Sequence, residues 1–504
     1  MKRPRSPDTR GWWPRVGRRS LLGFLGASAA LVPASAAPVD DRKQKIWRRS
    51  LDEQHVWGYA DKHSVVPGER FDLRLSTGPG IVKRSGRIEF FRIGNHPDGQ
   101  KRIWASALVT AHHQPVSLSA PATGANWDTT IESIDTSTWP PGYYSGDFVH
   151  ARTGVREPQL VQIVVRNPKQ DGKVLLKLGT NTYQAYNSWG GYSLYPDKPV
   201  EDDIEYRGTI VSFDRPTPPA FFQYDVYLVR WLEALGERLG ISIDYATNFD
   251  AHLDASLIRR YPLVACSAHD EYWSKEEFDA FERRIFQAGR NTIFYGANTA
   301  YWQMRYADVD RPPKGEDRGR QMVTYKSLID PIAWRAIDAD PRLLVSARFR
   351  DGARRPETML MGIGYDGWFP FDADQKPTFS YAVVSTDMPF FEGTGYRTGD
   401  RIADIVGYEW DNRDPEGDGH RLWRAGRSRI AELPRDRIKV LFRGAPINDV
   451  GKPRRAEAVF FESAAGAKVF SSGTVRWSWG LGKPGIENER FKRFNENLVR
   501  AFLA

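Results

Sequence analysis

His269, Asp270, Glu271 and Tyr272 follow directly on the apolar run Pro262–Ala268, PLVACSA. An imidazole next to carboxylates can move protons or hold a metal ion. In an extended conformation, residues two apart face the same side. His269 and Glu271 are therefore the candidate pair, and Asp270 reads as an early-turn acid favouring the N-terminus of the helix that follows. Two other apolar runs end in the same way. Thr180, Asn181 and the loop YQAYNSWGG follow KVLLKLGT, and Asn298 follows NTIFYGA.

These runs alternate with helical patterns. In YDVYLVRWLEALGERLG, Tyr227, Trp231 and Leu235 fall on one face beside Leu228, Leu232 and Leu239, and Gly240 stops the helix. Ser274 with Glu277 three residues on has the form of a capping box. Strands alternating with helices predict a mainly parallel sheet, covered on both faces. Ligands bind beyond the carboxyl ends of such strands, so His269, Glu271 and Asn298 are predicted on one rim. Before this segment, residues 56–165 hold short β-type runs bounded by Pro and Gly, such as GRIEFFRIG and QLVQIVVRN. The expected fold is an N-terminal immunoglobulin-like β-sandwich, residues 51–167, followed by a larger α/β domain, residues 168–504, of glutamine-amidotransferase-like or flavodoxin-like type. The polar hinge RNPKQDG marks the boundary, AVFFES-AAGA-KVFSSG reads as a hairpin, and the chain ends in an amphipathic helix with Phe491, Phe494, Leu498 and Phe502 on one stripe.

Other signals carry less. DAHLD, Asp250–Asp254, could mimic a metal site but reads better as the opening of a short helix with Asp250 as its cap. GIGYDG, Gly362–Gly367, matches G-x-G-x-x-G, but no amphipathic helix follows it, so it reads as a turn. Cys266, the single cysteine, lies inside a strand run and reads as core; one cysteine allows no intrachain disulfide and no thiolate zinc cage.

The first residues have the form of an export signal. Arg18 and Arg19 precede a short apolar stretch and the small-residue site Ala34-Ser35-Ala36, which predicts twin-arginine export, cleavage near Ala36 or Ala37, and a periplasmic or secreted product. Residues 1–37 are read as signal and 38–50 as linker. Seven of the 72 Lys and Arg and one of the 63 Asp and Glu lie in residues 1–37, which leaves 65 against 62, a net of +3. The basic balance belongs mostly to the signal and no dense basic patch is present, so nucleic-acid binding has no support. No run after the signal is long enough for stable membrane insertion. Aromatic residues gather in NSWGGYSLY and RWSWGLG, where they can line a pocket or pack a loop.

The motifs TNTYQAYNSWGGYSLY, VSFDRP, RWLE, HDEYWS, FYGANTAYWQMRY, VGYEWD and GTVRWSWGL, spread over residues 174–482, resemble the N,N-dimethylformamidase large-subunit (beta-subunit-like) family. The resemblance implies a hydrolase of a small amide with a mononuclear iron, ferric by its hard oxygen donors, held by two tyrosines and a glutamate. Carried over by motif, Tyr186 and Glu271 would be ligands, with the second tyrosine from FFQYDVYLVRWLE: Tyr227 is chosen over Tyr224. His269 and Glu409 would move protons, and Asn298 would hold the substrate carbonyl or a water. The substrate does not transfer with the motifs: a periplasmic amide, or another C–N bond, fits as well as dimethylformamide. A homo-oligomer and a small partner subunit both stay open. The rival reading is an exported, non-catalytic binding protein whose aromatic loops hold a glycan or peptide. Iron with phenolate ligands would colour the protein; a binding module would be colourless.

Overall fold

The computed structural model describes residues 56–195, 208–217, 222–307, 319–326, 328, 330–334, 344–370, 378–415 and 435–504. The signal and linker assigned to residues 1–50 lie outside them.

Residues 56–165 form two sheets that share one core. The strands Val56–Ala60, Arg70–Thr77 and Ile131–Asp135 make an antiparallel sheet of three. The second sheet runs Ser64–Val65, Arg156–Val165, Gly142–His150, Lys83–Ile93 and Gln100–Ala105, with Val109–His112 also on Lys83–Ile93. Alternation decides what is buried: Phe71, Leu73 and Leu75 point inward against Ile88, Phe90, Trp139 and Tyr144. The two layers and the α/β part that follows belong to one compact unit, Asp41–Ala504. Arg92, on Lys83–Ile93, reaches Glu233 of the helix Phe222–Leu239 at 2.7 Å, and Asn167 bonds Asp244 across the hinge at 3.0 Å.

The central sheet has nine strands. Its order is 243–247, 174–178, 263–266, 291–294, 468–471, 456–462, 439–444, 379–383 and 401–406. The first five are parallel and the rest antiparallel. The sheet is therefore parallel over one half only. Its direction changes at Ala456–Glu462 and Lys468–Ser471, whose five-residue connection closes a hairpin and is too short for a parallel crossover.

Each parallel strand is covered on both faces. Val174, Leu176, Leu178, Leu263, Ala265 and Ile293 enter the core under the helices Phe222–Leu239 and Glu489–Leu503. Leu175, Val264, Cys266 and Phe294 enter the opposite core, under Ala255–Arg260 and Lys275–Phe286. Burial on both faces is why these segments read as unbroken apolar runs. The terminal helix buries Phe491, Phe494, Leu498 and Phe502, each contributing about 1.5–3 kcal/mol. Asn488 caps it by accepting from the Phe491 amide at 3.1 Å.

Three local expectations change. Ser274 accepts from the Glu277 amide at 3.2 Å, but the Glu277 side chain does not return the bond; it turns inward to Lys177 and Asn248. Asp250 is not the cap of its helix. Thr247 is, and Asp250 completes the box from the third helical position. Gly362 ends the helix Glu357–Met361 in the left-handed region, at φ 76°, and GIGYDG leads into the strand Gly364–Trp368.

Candidate active site

Lys177, Cys266 and Phe294 are register partners across three adjacent strands, so the strands end at one level. Glycines bring their ends closer than side chains permit. A Cβ at Gly179 would run into the carbonyl oxygen of His269, and one at Gly296 into that of Ala268. The turn 268–271 is thus held between two backbones, and His269 forms a bridge with Ala297. From below, Lys177, fully buried, forms ion pairs with Asp270 and Glu277, lies 4.1 Å from the Trp273 ring, and shares the carboxylates with Asn248. Asp270 is therefore tied into the floor. His269 and Glu271, on either side of it, face the rim.

A fourth element comes from far along the chain. Glu409–Asn412 is paired with Gly364–Trp368, and Trp410 bridges to Thr474. It sets Glu409 Oε2 at 2.8 Å from His269 Nε2 and 3.1 Å from Asn298 Nδ2. Glu271 Oε2 lies 3.5 Å from the same imidazole nitrogen. The Tyr408 hydroxyl and His269 Nδ1 share a hydrogen bond of 3.0 Å, which fixes the ring. Tyr195 donates to Glu271 Oε1 at 2.5 Å and accepts from Tyr272 at 2.7 Å. Tyr186, at the end of the helix Thr180–Tyr186, stacks on Tyr195 at 4.2 Å and shares hydrogen bonds with Tyr195 and Tyr408. Lys326 Nζ lies over the Tyr195 ring at 3.1 Å.

Burial sets the acidities. It lifts the phenols of Tyr186, Tyr195 and Tyr408 well above their usual value, and Glu271 adds to the lift in all three. Burial, and next Glu409, raises the Glu271 carboxyl, against His269, Lys326 and the Tyr195 hydroxyl. Burial pushes the His269 imidazole down, but Glu409, Glu271 and Asp270 outweigh it and leave its pKa raised. His269 is thus kept a proton carrier next to a carboxylate.

The donors fit a hard cation. Glu271 Oε2 and Asn298 Oδ1 are buried and accept no hydrogen bond, and carboxylate and phenolate oxygens are ligands for a hard, highly charged ion. Among the described residues no group of three or more His, Cys, Asp and Glu is arranged to hold a metal, so an ion here would draw on the phenols.

Of the residues singled out from sequence, the structure brings together Tyr186, His269, Glu271, Asn298 and Glu409. Among the described residues Tyr227 makes no hydrogen bond or ring contact with them, although it packs on the cluster that holds Tyr224, Tyr408 and Trp479. The Tyr227 phenol is half-buried against Gly482, and Arg230 is the charge that acts on it. The helix turns Tyr224 inward instead, where it stacks on Trp479 at 5.6 Å and lies 6.3 Å from Tyr408. Tyr195, Tyr408 and Lys326 were not found from sequence. Tyr195 and Tyr408 stand inside motifs already singled out; Lys326 has no local signal.

A family model described as N,N-dimethylformamidase beta subunit-like, C-terminal, matches residues 87–490. Two curated relatives are each named N,N-dimethylformamidase beta subunit. The one from Alcaligenes sp is 25% identical over 298 residues, and the one from Paracoccus aminophilus is 25% identical over 300 residues. Each alignment covers 55% of this chain and 36% of the relative, so the chain spans about a third of the length of the curated relatives it matches. The family match runs from the second sheet of the sandwich to the terminal helix and takes in every residue of the site. This chain belongs to the N,N-dimethylformamidase beta subunit-like family.

Proposed function

We propose that this chain hydrolyses the C–N bond of a small amide, giving a carboxylic acid and an amine. One observation carries the reading: Glu409 Oε2 is shared by His269 Nε2 and Asn298 Nδ2, beside a Glu271 oxygen that is buried without a hydrogen bond. Two buried carboxylates around one imidazole cost stability, which a role in proton transfer explains.

The proposal includes a mononuclear ferric ion, held by Tyr186 and Glu271, with Tyr195 and Tyr408 the phenols nearest to them by hydrogen bonding. Bound there, such an ion supplies Lewis acidity toward a carbonyl or a water. The chain's own groups do the rest. Asn298 orients the attacking water, whose O–H its unpaired amide oxygen accepts. Glu409 takes a proton from water as the new C–O bond forms. His269, protonated, gives a proton to the nitrogen as the C–N bond breaks, and Glu409 returns the proton to His269 across 2.8 Å. The net transfer is one proton from water to the leaving amine. The aromatic walls of Tyr186, Tyr195 and Tyr408 exclude bulk water, which strengthens each of these interactions.

Export through the twin-arginine route belongs to the same proposal and rests on Arg18 and Arg19. So does a small partner subunit, since both relatives are named as beta subunits. The test is release of amine from a panel of small formamides and acetamides by purified, iron-supplied protein. Wild type releases amine from at least one, and Glu271→Gln and His269→Gln lose that release with the fold kept. An iron-bearing wild type that releases none overturns the hydrolase reading.

A further inference from the structure

Glu409 and Asp411 stand two residues apart on one strand and so face the same way. Both are directed at Asn298. Glu409 Oε2 accepts from its side-chain amide at 3.1 Å, and Asp411 Oδ1 accepts from its backbone amide at 2.8 Å. Asn298 sits in the left-handed region at φ 54°, and so does Ala300 at φ 53°. That region is sparsely populated by residues other than glycine, and a backbone held in it needs its surroundings to fix it. Asp411 is anchored for this task. It is 1% exposed, and its own amide donates to Gly473 O at 3.1 Å.

We propose that Asp411 is a positioning residue, which clamps the Asn298 amide so that the Asn298 side chain meets Glu409 and leaves its oxygen facing the site. The inference rests on the hydrolase reading for its kinetic consequence. The clamp itself does not depend on that reading. Among the described residues Asp411 makes no hydrogen bond to His269 or Glu271, so its effect passes through Asn298. What the clamp needs is an acceptor oxygen at this place, which asparagine supplies and alanine does not.

The experiment compares wild type, Asp411→Asn and Asp411→Ala. Selective 15N-asparagine labelling reads the Asn298 amide proton, which a hydrogen bond to an acceptor oxygen shifts downfield; kcat and KM for amine release are measured on the same samples, with thermal stability alongside. The clamp predicts a downfield proton in wild type and Asp411→Asn that is lost in Asp411→Ala. Turnover of Asp411→Asn stays within a few-fold of wild type, and Asp411→Ala loses on the order of 10²-fold in kcat with KM nearly unchanged, the scale of a slightly misplaced catalytic group. An Asp411→Ala protein with wild-type kcat overturns the proposal, as does an Asp411→Asn protein as impaired as Asp411→Ala. Should wild type release no amine, the hydrolase reading fails alone and the proton shift still decides: unchanged across the three proteins, it refutes the clamp.

Discussion

Glu277→Gln probes the floor on which His269 and Glu271 stand. Lys177 faces two carboxylates, Asp270 and Glu277, with all three side chains out of contact with solvent. One cation balances one anion, so the cluster is neutral only if one acid keeps its proton. Burial lifts Glu277 from its ordinary 4.5 to about 8, with Asp270 adding to the lift against the pull of Lys177. An acid with a raised folded pKa holds its proton more tightly when folded. Its contribution is complete below the ordinary value and is lost as pH rises toward about 8. At about 1.4 kcal/mol per pH unit, the share of Glu277 between pH 5 and pH 8 is on the order of 3 kcal/mol. Glutamine has the shape of the protonated acid and does not titrate. Urea unfolding followed by tryptophan fluorescence, at several values across this range, should give a difference curve. Near pH 5 the variant should match wild type; near pH 8 it should be the more stable by that amount. A flat difference refutes the assignment of the proton to Glu277.

Further outcomes follow from the same geometry. Gly179→Ala pushes a Cβ into the His269 carbonyl, so it should cost about 1–3 kcal/mol in urea and reduce amide turnover more than it reduces stability. Tyr195→Phe leaves Glu271 Oε1 without its donor, a loss of about 1–3 kcal/mol; combined with Glu271→Gln, the two changes should sum to less than their separate effects. Glu409 is the chief charge that raises His269, so Glu409→Gln should move the alkaline limb of any residual turnover to lower pH, measured as kcat/KM against pH. A limb that stays in place would assign it to another group.

Continuous apolar runs made 174–178, 263–266 and 291–294 legible as strands, because both of their faces are buried. Lys177 breaks the run, and period 2 alone places it on the face of Leu175, where Asp270 and Glu277 wait. The pair His269 and Glu271 could be read from the same period. What could not be read was which of Tyr224 and Tyr227 the helix turns inward. They lie three residues apart, within about 60° on the helix, and both border its apolar stripe. Packing against Trp479 decides it and turns Tyr224 in. Glu409 and Tyr408 reach the site from more than a hundred residues beyond Glu271, through pairing with Gly364–Trp368, which no local pattern encodes. The Ser274–Glu277 spacing misled for a physical reason: a buried lysine outcompetes the backbone amide for that carboxylate.

The most direct test of the central claim is elemental analysis joined to the visible spectrum, on wild type, Tyr186→Phe and Glu271→Gln purified from iron-supplied cells. The proposed site predicts about one iron per wild-type chain with a visible phenolate-to-metal band. That band should fade in Tyr186→Phe, and iron should fall in both variants while the fold is kept. Wild-type protein that is colourless and free of iron, or a band and iron content unchanged by both substitutions, would contradict it.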